Sequence, residues 1–370
     1  MNYIFYKADI EYWLEFKRIR LTESTPSPIL GDVTQFHNEL IRGSLDYLKN
    51  EKRIELPEYT DISFIERFRK SFNKTDIPMG VTWAAEDSYL FLEILDDAIE
   101  KKDDETIDYL KSYFDTHTLK LNFEYRDQAM NALISIKLYQ YTNEAKYKDY
   151  AVNMYKWLLS QDSESGIIYI PGMCYSIVDV LGMIVPFLTT YAKAFNCPEA
   201  YDKALQQIEI YSKYGCDKEN GIPAFAYTIR DPIIKIGPSN WGRGISWFVL
   251  GVSCVNLSDL SIETQKIIHL MNSTLSSIWT KYHHFDRFVL ENNQRDLTAD
   301  LPIIWYLNMC GSITLSKKDI LYYSQFMHDG VMYNCSNGNS GAIKFGVPHG
   351  PNPLAQGLML RLTKEAKSWR

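Results

Sequence analysis

The sequence lacks the short motifs that mark nucleotide-binding enzymes, metalloenzymes and serine hydrolases. Its 370 residues contain no G-x-x-x-x-G-K-[ST] loop, no G-x-G-x-x-G fingerprint, no H-E-x-x-H pair and no G-x-S-x-G elbow. Seven histidines are present, but none has metal-ligand spacing to another histidine or cysteine. The sequence therefore predicts no cofactor and no metal, and it leaves carboxylates, arginines and aromatic rings as candidate chemistry.

Basic blocks, long apolar runs and paired cysteines are missing as well. The formal net charge is -7 without any basic block, which argues against nucleic acid and against a membrane as partners. No apolar run approaches the roughly 18 residues of a membrane span, and the first residues lack the pattern of a signal peptide. The six cysteines are scattered, so we expect reduced thiols and a cytoplasmic location.

Aromatic and apolar residues are abundant. The chain is 46% hydrophobic, which is enough for a large core, and it contains 26 tyrosines and 8 tryptophans. Such a composition suits a carbohydrate-binding cleft without being diagnostic of one. An oligosaccharide is therefore a reasonable partner to test against the motifs.

Hydrophobic periodicity predicts about a dozen helices, and the lengths of their connections alternate. The predicted helices cover residues 34–49, 83–100, 103–116, 127–142, 144–160, 176–195, 199–214, 243–256, 262–281, 299–313, 317–328 and 352–366. Short links join two helices into an antiparallel hairpin. The long links then all lie at the same end of the hairpins and gather on one face of the assembly. These long links are 161–175, 215–240, 282–298 and 329–351.

This alternation predicts an all-α fold, an (α/α)6 barrel of six hairpins with long loops around a central cleft. Segments 166–170 and 221–227 are candidates for short β-ribbons in those loops. A helical solenoid is the competing architecture, but no sequence signature repeats at a fixed period. The Pro- and Ser-containing stretch 22–28 predicts an N-terminal arm, 1–30, before a single catalytic domain, 31–370.

The segment 240–247 combines a permanent cation with two large rings. If a helix starts near Arg243, then Arg243 and Trp247 lie on one face, with Trp241 just before the helix. A guanidinium recognises carboxylates with two hydrogen bonds, and indoles stack on sugar rings. The alternative is a core tryptophan beside a surface arginine.

Two aspartates stand in front of, or within, apolar helical runs. Asp127 opens a predicted helix and shares one face with Asn131, although an aspartate in this position is most often an N-cap. Asp179 lies in the apolar segment 175–187, where burial would raise its pKa. A raised pKa is what a general acid near neutral pH requires.

The order of these residues resembles a known family. Segment 178–187 with Asp179, followed by Trp241-x-Arg243-x-x-x-Trp247, is similar to the unsaturated glucuronyl and rhamnogalacturonyl hydrolases, glycoside hydrolase families 88 and 105. Asp127-x-x-x-Asn131 resembles their earlier hairpin. Trp83 is similar in position to a tryptophan that lines the family's sugar site. The resemblance extends over roughly residues 80–365 and implies the same (α/α)6 fold.

The resemblance implies a reaction that is not ordinary glycoside hydrolysis. Family members remove a 4,5-unsaturated uronic acid from an oligosaccharide: an acid protonates C4, water adds at C5, and the hemiketal opens and expels the next sugar. Asp179 would be the acid that also activates water, and Asp127 would hold sugar hydroxyls and modulate the pKa of its partner. Arg243 would bind an anionic or hydroxyl-rich part of the substrate. The stacking walls would be Trp83, Trp241 and Trp247.

The sequence also departs from the family pattern. Phe225 stands where many members have a histidine, which leaves the substrate contacts at that position open. His349 lies in a loop that resembles the family's closing loop, although a histidine in such a Gly- and Pro-rich loop is more often simply exposed. Two alternatives therefore stay open: another sugar enzyme on the same barrel, such as a conventional glycosidase or an epimerase, and a catalytically silent glycan-binding protein. The sugar linkage and the oligomeric state are not predicted.

Overall fold

The computed structural model describes residues 17–49, 85–120, 122–162, 166–168, 174–291, 294–336, 339–340, 344–345 and 348–369. In these residues the chain is mostly helical. It divides into two compact units: the larger spans Trp83–Thr314, and the smaller combines Met1–Thr82 with Leu315–Arg370. The bounds of the N-terminal arm and of the catalytic domain stay a prediction.

The larger unit is built from consecutive helices, most of which pack in pairs. These helices are α2 Ala85–Lys101, α3 Asp104–His117, α4 Ala129–Thr142, α5 Ala145–Ser160, α6 Asp179–Phe195, α7 Pro198–Tyr214, α8 Gly242–Val252, α9 Ile262–Tyr282 and α10 Leu297–Met309. Helix α2 packs on α3, α4 packs on α5, and α6 packs on α7.

The turns between paired helices follow from local residue chemistry. Asn143 and Asn196 end α4 and α6 in the left-handed conformation, with φ of 58° and 51°, which asparagine tolerates better than most residues. Pro198 then begins α7, where its missing N–H is not needed. Asp103 caps α3 by accepting a hydrogen bond from the Thr106 N–H at 3.2 Å.

Five helices of the larger unit form its inner layer. Helices α2, α4, α6, α8 and α10 pack against one another in that order. Every residue of α8 is buried, as is every residue of α10 from Leu297 to Leu307, and helices that are apolar on all sides belong in the interior. Because these buried helices are largely apolar, a polar side chain at the start of one of them is a candidate functional residue.

A three-stranded antiparallel sheet leads into α6. Strand β1 (Tyr175–Ile177) pairs with β2 (Ala226–Thr228), and β2 pairs with β3 (Lys235–Ile236). The β-ribbon predicted near 221–227 corresponds to strand β2, which lies slightly later in the chain, at 226–228. In the other predicted ribbon, Ile168 forms a bridge with Asp162, and residues 169–170 lie outside the described residues.

The described residues of the smaller unit include helices and two short hairpins. Among these elements are α1 Val33–Lys49, α11 Lys317–Tyr322, α12 Pro353–Ala366, β4 Met327–His328, β5 Val331–Met332, β6 Asn339–Ser340 and β7 Lys344–Phe345. Helix α12 packs on α1, and the Gln356 amide donates to Ser44 Oγ at 3.0 Å and accepts from Met332 N–H at 2.8 Å. None of the helices in the described ranges is long and apolar enough to cross a membrane.

Two predicted helix starts are shifted by two or three residues in the structure, and both shifts concern candidate site residues. The helix predicted at 127 begins at Ala129, because a 3-10 turn, Arg126–Gln128, precedes it. The Gln128 side-chain oxygen accepts from the backbone N–H groups of Glu124 and Tyr125 at 2.7 and 2.9 Å and closes this turn. The helix predicted at 176 begins at Asp179, because the preceding residues form β1.

Candidate active site

Asp127 and Asp179 come from two elements that pack together. Asp127 lies in the 3-10 turn before α4, Asp179 is the first residue of α6, and the turn packs on α6. Arg126, whose side chain is buried, interacts electrostatically with both carboxylates. Burial lowers the pKa of Arg126 to about 10, and the charges of Asp127 and Asp179 oppose this shift. Arg126 is therefore within electrostatic range of both sequence-predicted carboxylates.

Asp179 occupies a buried position that the sheet defines. Only 6% of its surface is exposed. The backbone N–H of the preceding residue, Val178, donates to the Phe225 carbonyl at 2.9 Å and continues the β1–β2 pairing up to the start of α6. Asp179 also acts electrostatically on Tyr211 of α7. Burial raises the pKa of Tyr211, and nearby charges that include Asp179 add to this increase.

Arg126 is held by a loop that is itself anchored to α7. Its Nη1 donates to the Ile168 carbonyl at 3.3 Å. The Ile168 N–H donates to Gln207 Oε1 at 3.0 Å, and Gln207 Nε2 donates to the Gly166 carbonyl at 2.8 Å. Sequence reasoning missed Arg126, although an arginine directly before a candidate catalytic aspartate is a usable indication.

The start of α8 carries an arginine and contacts an aromatic pair, and it packs close to the start of α6. The Arg243 guanidinium carbon lies 5.2 Å from the centre of the Trp241 ring, and the Phe225 ring meets Trp241 edge-on at 5.6 Å. A Cβ on Gly244 would lie 2.7 Å from the Trp241 ring and 3.0 Å from Val178 Cγ1. Gly244 thus lets Trp241 pack next to the residue that precedes Asp179.

Trp247 and Asn131 are fully buried, and Trp241 is only 1% exposed. Trp247 lies 5.9 Å, centre to centre, from the Tyr89 ring, and the Tyr89 hydroxyl donates to the Gly182 carbonyl at 3.0 Å. The Asn131 side-chain oxygen accepts from Ser88 Oγ at 3.0 Å. The direct sugar contacts that were predicted for both residues stay predictions. Their observed contacts fix α2, α4, α6 and α8 relative to one another.

The remaining sequence-predicted residues are Trp83 and His349. Trp83 lies outside the described residues. His349 belongs to the smaller unit, where its Nδ1 lies 3.2 Å from Glu23 Oε2 while Glu23 Oε1 accepts from the Gly350 N–H at 2.6 Å. A role of either residue in substrate binding stays a prediction. Among the residues that can be described, no group of three or more His, Cys, Asp or Glu side chains is arranged to hold a metal ion.

The family follows from comparison of the sequence with known protein families. The chain matches the profile of Glycosyl Hydrolase Family 88 over residues 62–280, which is more than half of its length. This protein belongs to glycoside hydrolase family 88. The matched range includes Asp127, Asp179, Arg243 and their neighbours. No curated protein matches the whole sequence significantly.

Solved structures of the same and the related family are similar in fold. A possible member of the GH105 family from Klebsiella pneumoniae has a TM-score of 0.70 and 14% identity, over 93% of this chain and 96% of that one. A family 105 glycoside hydrolase from C. acetobutylicum has a TM-score of 0.64 and 17% identity, over 83% and 100%. The unsaturated glucuronyl hydrolase from Bacillus sp. GL1 has a TM-score of 0.62 and 12% identity, over 91% and 97%.

These findings confirm the predicted fold class and the predicted class of enzyme. The family 88 member has the six-hairpin (α/α)6 fold that the alternation of connection lengths predicted. It is a glycoside hydrolase, and its substrates are oligosaccharides. The resemblance found in the segments around Asp127, Asp179 and Arg243 is confirmed at the level of the family.

Proposed function

We propose that this protein removes a 4,5-unsaturated uronic acid from the non-reducing end of an oligosaccharide by hydrating its vinyl ether. The observation that carries the proposal is that Asp127 and Asp179 come from two elements that pack together, the turn before α4 and the first residue of α6. Two neighbouring carboxylates do not ionise together easily, and in this proposal Asp179 is the one that carries the proton. Family membership supports this type of activity.

In the proposed reaction, Asp179 acts first as an acid and then as a base. It transfers its proton to C4, and positive charge develops at C5 and the ring oxygen. Water attacks C5 and gives a proton back to the Asp179 carboxylate, so the acid is regenerated. The resulting hemiketal opens by cleavage of the bond between C5 and the ring oxygen. The hemiacetal that this leaves at C1 then expels the next sugar as an alcohol.

The other residues bind and orient the sugar in this proposal. Asp127 stays ionised and accepts hydrogen bonds from sugar hydroxyls. Arg243 supplies a positive charge for the substrate carboxylate, which a chain of net charge -7 needs locally. Trp241 acts as a stacking wall for the sugar. Phe225, which stands where many family members have a histidine, contributes an apolar ring next to Trp241. Asn131, Trp247, Trp83 and His349 remain proposed contributors to the same site.

The test uses oligosaccharides produced by a polysaccharide lyase, whose conjugated double bond absorbs in the far ultraviolet. We expect the wild-type protein to remove this absorbance while releasing the next sugar. Asp179→Asn should lower kcat by about 10²–10⁴-fold, because an amide has no acidic proton to donate. The matched control is Asp202→Asn, which changes an exposed aspartate on α7 and should leave kcat unchanged.

Two results would contradict the proposal. Release of sugars from saturated oligosaccharides, with the absorbance of unsaturated ones unchanged, would indicate a conventional glycosidase. A rate of Asp179→Asn close to that of the wild type would remove Asp179 from the reaction.

A further inference from the structure

Tyr211 is a buried tyrosine of α7 whose hydroxyl lies where the β1–β2 pairing meets the start of α6. The hydroxyl donates to two successive carbonyl groups, that of Ala224 at 2.8 Å and that of Phe225 at 3.1 Å. The Phe225 carbonyl also accepts from the backbone N–H of Val178 at 2.9 Å, and Val178 directly precedes Asp179. One carbonyl oxygen therefore connects the tyrosine to the residue before the proposed acid.

From this geometry we infer that Tyr211 is a positioning residue, which fixes the backbone at the start of α6 and thereby the position of the Asp179 carboxyl group. The inference deepens the proposed function and rests on it, because it takes Asp179 as the proton donor. Tyr211 does not contact the substrate in this inference. Only 2% of its surface is exposed, and its hydroxyl proton is directed at the two carbonyl groups.

The hydrogen bond between Val178 and Phe225 lies at the end of the strand pairing, where α6 begins. Strands β1 and β2 pair in register up to Ile177 with Ala226, and the Val178 N–H follows one residue later. The end of a paired segment opens more easily than its middle. A carbonyl oxygen has two lone pairs, so Phe225 can accept from Val178 and from the tyrosine together. The second donor therefore acts at the point that determines where Asp179 lies.

The Tyr211 hydroxyl keeps its proton at neutral pH. Burial raises the pKa of Tyr211 well above its ordinary value, and electrostatic interactions with Cys216, Tyr227 and Asp179 act in the same direction. A protonated tyrosine is a hydrogen-bond donor. The contact with the Phe225 carbonyl is therefore present throughout the pH range in which the reaction is assayed.

The ring of Tyr211 is itself fixed by its surroundings. It meets the ring of Tyr227 in β2 edge-on at 5.2 Å and the ring of Phe248 in α8 at 6.2 Å. A Cβ on Gly215 would overlap the Tyr211 ring, so the glycine provides the space that the ring occupies. The Gly215 N–H donates to the Tyr211 carbonyl at 2.7 Å, and the Gly215 carbonyl accepts from the Ala224 N–H at 3.0 Å. Any movement of the hydroxyl would disturb these contacts.

The first experiment removes only the hydroxyl. Tyr211→Phe keeps the ring and leaves the Phe225 carbonyl with the Val178 N–H as donor. We expect kcat for an unsaturated oligosaccharide, measured per folded molecule, to fall by about 10-fold or more, since a small misplacement of a reacting group lowers the rate steeply. KM should stay within about twofold of the wild-type value, because the residues that bind the sugar are unchanged. A higher KM with an unchanged kcat would overturn the inference.

The matched control is Tyr147→Phe, which removes the hydroxyl of another buried tyrosine. The Tyr147 hydroxyl donates to Asp115 Oδ1 at 2.8 Å and joins α5 to α3. Because this acceptor is charged, Tyr147→Phe should lower the melting temperature at least as much as Tyr211→Phe does. Its kcat per folded molecule should equal that of the wild type. If Tyr211→Phe has the same kcat as this control, Tyr211 has a purely structural role and the inference fails.

Two unnatural amino acids test the hydrogen bond at nearly constant size and do not depend on whether Tyr211→Phe folds. The amino group of p-aminophenylalanine can donate to the carbonyl groups, whereas the methyl group of p-methylphenylalanine cannot. Tyr211→p-aminophenylalanine should keep kcat within about threefold of the wild-type value, because the donor is restored. Tyr211→p-methylphenylalanine should show the loss expected of Tyr211→Phe. Equal kcat values of the two proteins would contradict a role of the hydrogen bond.

The start of α6 should also be measured without substrate, so that this inference and the proposed function can fail separately. Amide hydrogen exchange of Val178 reports how often its hydrogen bond to the Phe225 carbonyl opens. The exchange should be faster in Tyr211→Phe than in the wild type and unchanged in Tyr147→Phe. If the wild type does not turn over unsaturated oligosaccharides but this exchange increases as described, only the proposed function is wrong. Unchanged exchange of Val178 in Tyr211→Phe would overturn the inference, even if kcat falls.

Discussion

The charged residues of the candidate site lie at the first turns of inner helices. Asp179 is the first residue of α6, Arg243 is the second residue of α8, and Asp127 lies in the turn before α4. The start of a helix carries a partial positive charge that stabilises a negative one. For Asp179 this stabilises the carboxylate that is left after proton transfer, while burial favours the protonated acid that precedes it.

The role of Asp127 can be separated from that of a helix cap. The residue before α4 is Gln128 and not Asp127, so Asp127→Ala should change the melting temperature little. If Asp127 binds sugar hydroxyls and keeps the proton on Asp179, the same change should reduce kcat/KM by about 10-fold or more, since one such interaction contributes on the order of 1.5–3 kcal/mol. Thermal melting and kinetics on the same preparation decide between the two roles.

Asp103 provides the matched control for this experiment. Its side chain caps α3 through the Thr106 N–H, so Asp103→Ala should cost about 0.5–2 kcal/mol of folding stability. Its kcat/KM per folded molecule should stay unchanged. An Asp127→Ala protein that behaves like Asp103→Ala would show that Asp127 is structural.

At the scale of elements, the spacing between α6 and α8 depends on glycine. A Cβ on Gly182 would lie 2.6 Å from the Trp247 ring and 2.7 Å from its carbonyl oxygen. The same contact surface carries Asp179 at the start of α6 and Arg243 at the start of α8. The close approach of these two helices therefore sets the relative position of the acid and the proposed anion-binding arginine.

Gly182→Ala should therefore affect both stability and activity. Overpacking of this kind costs about 1–3 kcal/mol, and it should separate the two helix starts and lower kcat/KM in the fraction that remains folded. Chemical denaturation and kinetics measure the two effects. Gly31→Ala is the control, because a Cβ at Gly31 meets no atom within 4 Å. Equal stability of the two variants would mean that α6 and α8 tolerate a larger separation.

At the scale of the whole molecule, substrate binding should be visible as a gain in the free energy of unfolding. In Asp179→Asn, an unsaturated oligosaccharide stays intact and can bind to equilibrium. At about 100 times its Kd it should stabilise the folded protein by about 2.7 kcal/mol. Adding Arg243→Lys should reduce this gain, because a lysine keeps the charge but loses the planar group that can bind two oxygens and stack on Trp241.

Thermal melting with and without the oligosaccharide measures this effect. A neutral oligosaccharide of equal length serves as the control for the carboxylate. An equal gain in the single and the double variant would show that Arg243 does not receive the substrate.

The helices were predictable because they depend on near neighbours in sequence. Apolar residues repeat at helical spacing, and residues such as Asn143, Asn196 and Pro198 end or begin helices through their own backbone preferences. The two shifted helix starts depend on contacts that the helical pattern of apolar residues does not show. The Gln128 side chain closes a turn, and residues 175–177 find a strand partner some 50 residues later, at 226–228.

The identities of the two aspartates and of the arginine-tryptophan segment were also visible in the sequence, since a charged residue next to an apolar helical run is a local feature. Their arrangement was not. The arrangement depends on contacts between residues that are not neighbours in the chain. The turn that contains Asp127 packs on the helix that begins with Asp179, Trp247 is buried against Gly182, and Phe225 contacts Trp241. The distances between these residues depend on how closely whole helices pack. All the side chains between two helices together determine the separation of the helices, so no short segment of the sequence contains that information.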